Sequence, residues 1–129
     1  ILNYLQRMNI SIIDLGVNQE KSVDYPDFAY STAKLFKNEN INFGILICGS
    51  GIGISIAANR FKHMRAALCN DINTAKLARQ HNNANVIVFG GRIINSDLAL
   101  KCVETFINTE YEGGRHDQRV NKLSNPINI

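Results

Sequence analysis

Apolar runs of four to six residues recur along the chain, each followed by polar turn residues and then by a stretch with helical periodicity. That alternation is the pattern of repeated βα units, because parallel strands need a long crossover and a helix usually supplies it. The runs predict strands over Ile10 to Leu15, Phe43 to Cys48, Arg65 to Cys69 and Val86 to Phe89. Between the first two, Phe28, Ala29, Ala33 and Phe36 share one face at helical spacing, with Pro26 where a first turn tolerates proline. A crossover helix is expected there. Thr74 to Arg79 continues the pattern, and Ser96 is the expected cap of a longer helix whose Ala99, Cys102, Val103, Phe106 and Ile107 face the core. Tyr111-Glu112-Gly113-Gly114 opens a basic tail, expected to be helical, that carries Arg115 and Arg119. Tyr4 to Asn9 reads as the end of a helix, and a crossover helix follows a strand, so the pattern places a strand upstream of Ile1. The expectation is one α/β domain over 1–129, a Rossmann-like three-layer αβα sandwich on a parallel sheet, its first strand absent from these residues.

Length and composition narrow this further. The chain has 129 residues, 45% of them hydrophobic, and two prolines, which suits one packed core rather than two. With 19% charged residues and a net charge of +3, it has neither the basic runs of a nucleic-acid tail nor an acidic solvating segment. A small anionic ligand fits that balance, and no nucleic-acid partner is expected. Three cysteines without a CxxC pair argue against a disulfide framework or a thiolate zinc site and point to a reducing cytoplasm. No apolar stretch is long enough for a bilayer and the first residues lack a signal-peptide pattern, so neither membrane insertion nor export is expected.

The most informative segment runs from Ile45 to Asn59, a strand entering the glycine-rich turn Cys48-Gly49-Ser50-Gly51-Ile52-Gly53 and then a helix. Alternating glycines let the backbone approach a ligand and present N–H groups at a helix N-terminus, which favours bound anions and the thiolate form of Cys48. Taken without its neighbours, Cys48 reads as a small buried hydrophobe, the commoner fate of a free cysteine. A dinucleotide site needs a third glycine, and Ile54 or, counted from Gly51, Ile56 stands in its place; no Gly-Lys-Ser/Thr makes a P-loop. The spacing to Asp71 is therefore read as chance. His81 and Asn82 end a predicted helix, where histidine serves as a proton carrier or simply as a cap on the helix dipole. Arg92, Arg115 and Arg119 suit bidentate phosphate contacts, but each also reads as a solvated surface charge, and for Arg119 the residues alone favour that reading. His63 and Cys69 read as structural.

Asp24-Tyr25-Pro26-Asp27, Ile47-Cys48-Gly49-Ser50-Gly51-Ile52-Gly53, Arg79-Gln80-His81-Asn82 and Tyr111-Glu112-Gly113-Gly114-Arg115-His116 together resemble the successive signatures of the type B ribose-5-phosphate isomerases. The resemblance covers nearly the whole chain. It implies interconversion of ribose 5-phosphate and ribulose 5-phosphate, a step of pentose phosphate metabolism, through an enediolate and without metal or organic cofactor. It implies Cys48 as base, Ser50, where the family often has threonine, as a proton relay, and His81 as the group that opens the furanose ring. Gly49, Gly51, Ile52, Gly53, Asn82, Arg92, Arg115, Arg119 and Tyr25 are the implied substrate contacts. A homodimer or homotetramer with shared active sites is also implied. The family begins with a strand ending in an Asp-His pair that helps bind the sugar phosphate, and roughly twenty residues including that strand are not in this sequence. Two alternatives stay open: a galactose-6-phosphate isomerase subunit, and a binding subunit impaired in turnover by that missing pair.

Overall fold

The computed structural model describes residues 1–129. In chain order the elements are α1 (Leu2–Arg7), α2 (Tyr25–Asn38), β1 (Gly44–Cys48), α3 (Ile52–Ala58), β2 (Ala66–Leu68), α4 (Ile72–Asn82), β3 (Val86–Gly90), α5 (Ser96–Asn108), a 3-10 turn (Gly114–His116) and α6 (Asp117–Ser124). The three strands are all parallel in the order β1-β3-β2. All five residues of β3 are buried, as a central strand covered on both faces should be.

Side-chain alternation along β3 divides the core into two layers. Val86 and Val88 point to one side, where Leu46, Ala29 and Ala33 of α2, and Ile54, Ala57 and Ala58 of α3 close around them. Ile87 and Phe89 point to the other, against Ala75 and Ala78 of α4 and Ala99, Cys102, Val103 and Phe106 of α5. The result is the three-layer αβα sandwich expected from the sequence. Alanines at the helix–sheet contacts let the helices approach closely, while Phe106 meets Phe43 edge-on at 5.6 Å to fill the remaining width.

Two sequence expectations need correction. Ile10 to Leu15 forms no strand: β1 pairs only with β3, and a strand exists by virtue of a neighbour's N–H and C=O groups. Ile12 still packs on the α4/α5 layer, but Ile10 and Ile13 are exposed. The cap of α5 is Asn95 rather than Ser96, because it is the Asn95 side chain that accepts the Leu98 N–H at 2.9 Å. Asp71 has a comparable task, accepting from the Thr74 N–H at 2.7 Å at the start of α4, which leaves its place in the broken dinucleotide pattern without a ligand role. His63 bonds the Ala33 carbonyl at 2.8 Å, as a structural residue would. No helix is long and apolar enough to cross a membrane.

Candidate active site

The first half of the site grows from the carboxyl ends of β1 and β3. The chain leaves β1 toward one face of the sheet, through α3, and leaves β3 toward the other, through α5, so the ends of these neighbouring strands flank a crevice. Two glycine segments meet there. The Gly91 N–H donates to the Cys48 carbonyl at 2.8 Å and the Arg92 N–H to the Gly49 carbonyl at 3.1 Å. A β-carbon on Gly90 would run into the Ser50 backbone, and one on Gly51 would come within 2.9 Å of the Gly90 nitrogen. Gly51 also has φ of +79°, the left-handed region that side chains resist. Gly51→Ala should therefore cost about 2–4 kcal/mol of stability, from backbone strain and overpacking together. Urea unfolding measures it, and a loss below about 0.5 kcal/mol would mean that the loop relaxes freely.

Within this loop the half-buried Cys48 sulfur accepts the Gly51 N–H at 3.2 Å, and the Ser50 hydroxyl accepts the Ile52 N–H at 3.3 Å. The N–H groups of Gly49, Ser50 and Gly53 make no hydrogen bond within the chain. Three backbone donors without a partner thus lie in the turn that follows a thiol, an arrangement suited to holding negative charge. Two long side chains flank it. The Arg92 guanidinium lies over Gly49, where a β-carbon would approach it to 3.2 Å, and Tyr25 lies so close to Gly53 that a β-carbon there would collide with its ring and hydroxyl. Arg92 and Tyr25 are both exposed. Cys48, Ser50, Tyr25, Arg92 and the glycines are therefore brought together.

His81, Asn82, Arg115 and Arg119 lie elsewhere. Helix α4 starts just after the carboxyl end of β2 and ends just before the amino end of β3, so it runs antiparallel to the strands. Its 11 residues span about 16 Å, which carries His81 and Asn82 to the opposite end of the sheet from Cys48. Asn82 accordingly borders a groove with Arg65, Ala66 and Ala84 at the amino end of the sheet. Arg79 fixes this end of the helix: its guanidinium lies over Phe43 and Phe106 at 5.0 and 5.7 Å and donates to the carbonyls of Thr109 and Ala84 at 3.1 and 2.6 Å. Burial, with a smaller contribution from Arg65, lowers the Arg79 pKa. Asn83, in the left-handed conformation, ends the helix.

The segment after α5 folds back over His81. The Glu112 N–H donates to the Gln80 carbonyl at 3.1 Å, Gly113 and Gly114 take positive φ, and the buried His116 ring stacks on His81 with centroids 4.4 Å apart. The Tyr111 hydroxyl donates to Asp117 at 2.8 Å and steadies the turn. Arg115 and Arg119 are exposed on this segment. Glu112 and His116 were not singled out from the sequence; only the proximity of His116 to Arg115 in one glycine-led motif pointed toward them. One chain thus carries two polar clusters, a thiol in a loop rich in free N–H groups and a histidine with arginines nearby, at opposite ends of its sheet.

The family model for ribose/galactose isomerases matches residues 1–123. Ribose-5-phosphate isomerase B of Escherichia coli is 41% identical over 124 residues, 96% of this chain and 83% of that protein. The crystal structure of a ribose 5-phosphate isomerase from Thermotoga maritima superposes with a TM-score of 0.92 at 47% identity, over 95% of this chain and 85% of that one. A ribose-5-phosphate isomerase B from Mycoplasma genitalium, solved with bound ribulose-5-phosphate, gives 0.88 at 42% identity, over 95% and 82%. With its parallel sheet, its glycine-walled thiol and a match over nearly its whole length, the chain belongs to the ribose/galactose isomerase family.

Proposed function

We propose that this protein interconverts ribose 5-phosphate and ribulose 5-phosphate, as an aldose-ketose isomerase working through an enediolate. The observation that carries the reading is the Cys48 thiol, set beside unpartnered N–H groups at the carboxyl end of β1. With the open-chain aldose bound there, the Cys48 thiolate takes the proton from C2 and electrons move onto the carbonyl oxygen. The N–H groups of Gly49, Ser50 and Gly53 stabilise that oxyanion as it forms, which is often the largest catalytic term. Ser50 passes a proton between the two sugar oxygens, and Cys48 returns a proton to C1. Tyr25 and Ile52 line the sugar side of the loop, and Arg92 holds the phosphate. His81 opens the furanose ring by moving a proton from the anomeric hydroxyl to the ring oxygen, with Asn82 on a sugar hydroxyl and Arg115 and Arg119 on phosphate.

Because His81 and Cys48 occupy opposite ends of one chain, a complete site requires two copies. A two-fold pairing that brings the Cys48 end of one protomer to the His81 end of its partner builds two identical sites. A homodimer is the smallest assembly with that property, and a homotetramer is two such pairs. Three free cysteines fit a cytoplasmic setting. Purified protein should convert ribose 5-phosphate and leave galactose 6-phosphate unchanged; the opposite preference would give the galactose reading. Subunit mixing tests the shared site. Cys48→Ala and His81→Asn proteins, each inactive alone, should recover about one quarter of wild-type activity when unfolded together and refolded, since half of the random dimers carry one intact site of two. Activity no greater than the sum of the separate variants would place both residues in one chain's site.

A further inference from the structure

The reaction gives His81 a task, but Glu112 and His116 have none, and the three residues converge. The His81 and His116 rings stack at 4.4 Å with 16° between their planes, and His116 Nε2 lies 3.6 Å from Glu112 Oε2. One donor atom from each of the three lies within 4.8 Å of the other two. Their backbones are already fixed. The Glu112 N–H is bonded to Gln80, the residue before His81, and the His116 N–H to the Gly113 carbonyl at 3.1 Å. His116 is only 6% exposed, so packing rather than solvent sets its rotamer. His116 therefore loses little conformational freedom when these donors close on a ligand, whereas the exposed Glu112 carboxylate has still to be ordered.

We propose that His81, Glu112 and His116 form a binding site for a zinc-class transition-metal cation, with one coordination position left open. Two imidazoles and a carboxylate are the donor set of open tetrahedral zinc sites, and each neutral imidazole offers one lone pair. With metal–ligand bonds of about 2.0–2.2 Å, tetrahedral donors sit about 3.3–3.5 Å apart. The Glu112–His116 pair is already near that spacing, and side-chain rotation closes the widest pair by roughly 1–1.5 Å. Magnesium and calcium are excluded as the natural occupants because they take six or more ligands, mostly oxygen. Of the other acids on this segment, Asp117 is engaged by Tyr111 and Glu110 is exposed two residues before Glu112, while exposed Arg115 and Arg119 oppose a cation. That opposition sets the expected affinity in the micromolar rather than the nanomolar range. Binding follows from these three residues alone. Its consequence rests on the reading of His81 given above: a histidine that has given its lone pair to a metal cannot move the ring-opening proton, so zinc should inhibit.

Tag-free protein, stripped with a chelator, is titrated with zinc chloride against a chromophoric zinc indicator. One zinc per chain is expected, with magnesium unable to compete. Glu112→Gln and His116→Gln should each weaken binding by at least about tenfold, while Glu104→Gln, an exposed carboxylate on α5 outside both clusters, binds as the unaltered protein does. Glu112 is exposed, so its variant carries the test even if the His116 variant fails to fold. Unchanged affinity in Glu112→Gln, or an equal loss of binding in Glu104→Gln, overturns the site. Zinc inhibition that a chelator reverses and that Glu112→Gln escapes supports both the site and its consequence. Stoichiometric zinc that depends on Glu112 but leaves turnover untouched upholds the site and removes His81 from ring opening.

Discussion

Cys48→Ala is expected to lower isomerase turnover by about 10³-fold or more, at the upper part of the range for a general base. That corresponds to about 4 kcal/mol of transition-state stabilisation. No other group in the loop can take its place: a serine hydroxyl such as Ser50, without an adjacent base, is too weak a base to remove a carbon-bound proton, and Cys69 and Cys102 are buried in the opposite core layer. The substitution removes one half-buried sulfur and leaves the backbone donors and Arg92 in place, so KM should change little and stability by about 1 kcal/mol or less. Steady-state rates with urea unfolding separate the two quantities, and turnover within tenfold of wild type would remove Cys48 from the chemistry. Alkylation gives an independent reading. Burial, reinforced by Cys102 and Asp71, pushes the Cys69 thiol up to about 12, and burial raises Cys102 as well. Thiolate is the reactive form, so near pH 8 iodoacetamide should label Cys48 almost alone, and sugar phosphate should protect it. Equal labelling of all three cysteines would mean that the core opens to the reagent.

The second large effect is expected at His81, and it should divide the reaction into its parts. His81→Asn should lower conversion of ribose 5-phosphate by about 10²-fold or more, since the substrate is mostly cyclic and a proton carrier has been lost. Net rates in the two directions are tied by the overall equilibrium, so isotope exchange is the cleaner measurement. Ribulose 5-phosphate cannot close a furanose ring, because its 5-oxygen carries the phosphate. Proton removal at its C1 therefore needs Cys48 but not a ring opener. Exchange of that hydrogen with deuterated solvent should stay within several-fold of wild type in His81→Asn and vanish in Cys48→Ala. If exchange falls as far as net conversion does, His81 belongs to the isomerisation step itself.

Much of this molecule was legible in the chain because its determinants are local. The alternation of apolar runs with helical faces gave the αβα layering, since Val86 to Phe89 is apolar at every position and only a strand covered on both faces needs that. The glycines after Cys48 and the missing third glycine of a dinucleotide loop were readable for the same reason: turn geometry and close approach are demands made at single positions. The cap of α5 lay one residue from its predicted place, because Asn95 and Ser96 are both capping types and the side chain that reaches the free N–H is chosen by the entry angle of the chain.

What the tertiary structure alone decided depends on partners distant in sequence. Ile10 to Leu15 has the composition of a strand, but pairing is a property of two segments, and it pairs with neither edge of the β1-β3-β2 sheet. Tyr25 against Gly53, Arg92 over Gly49 and His116 stacked on His81 join elements that periodicity describes separately. Most consequentially, the direction of α4 separates Cys48 from His81. Spacing along the chain is silent about which end of a sheet a helix terminus reaches, whereas a right-handed crossover between parallel strands must run back along them. By itself the sequence determined the family resemblance and the candidate residues; the path of the chain through the fold determined that one copy holds those candidates at two opposite ends of its sheet.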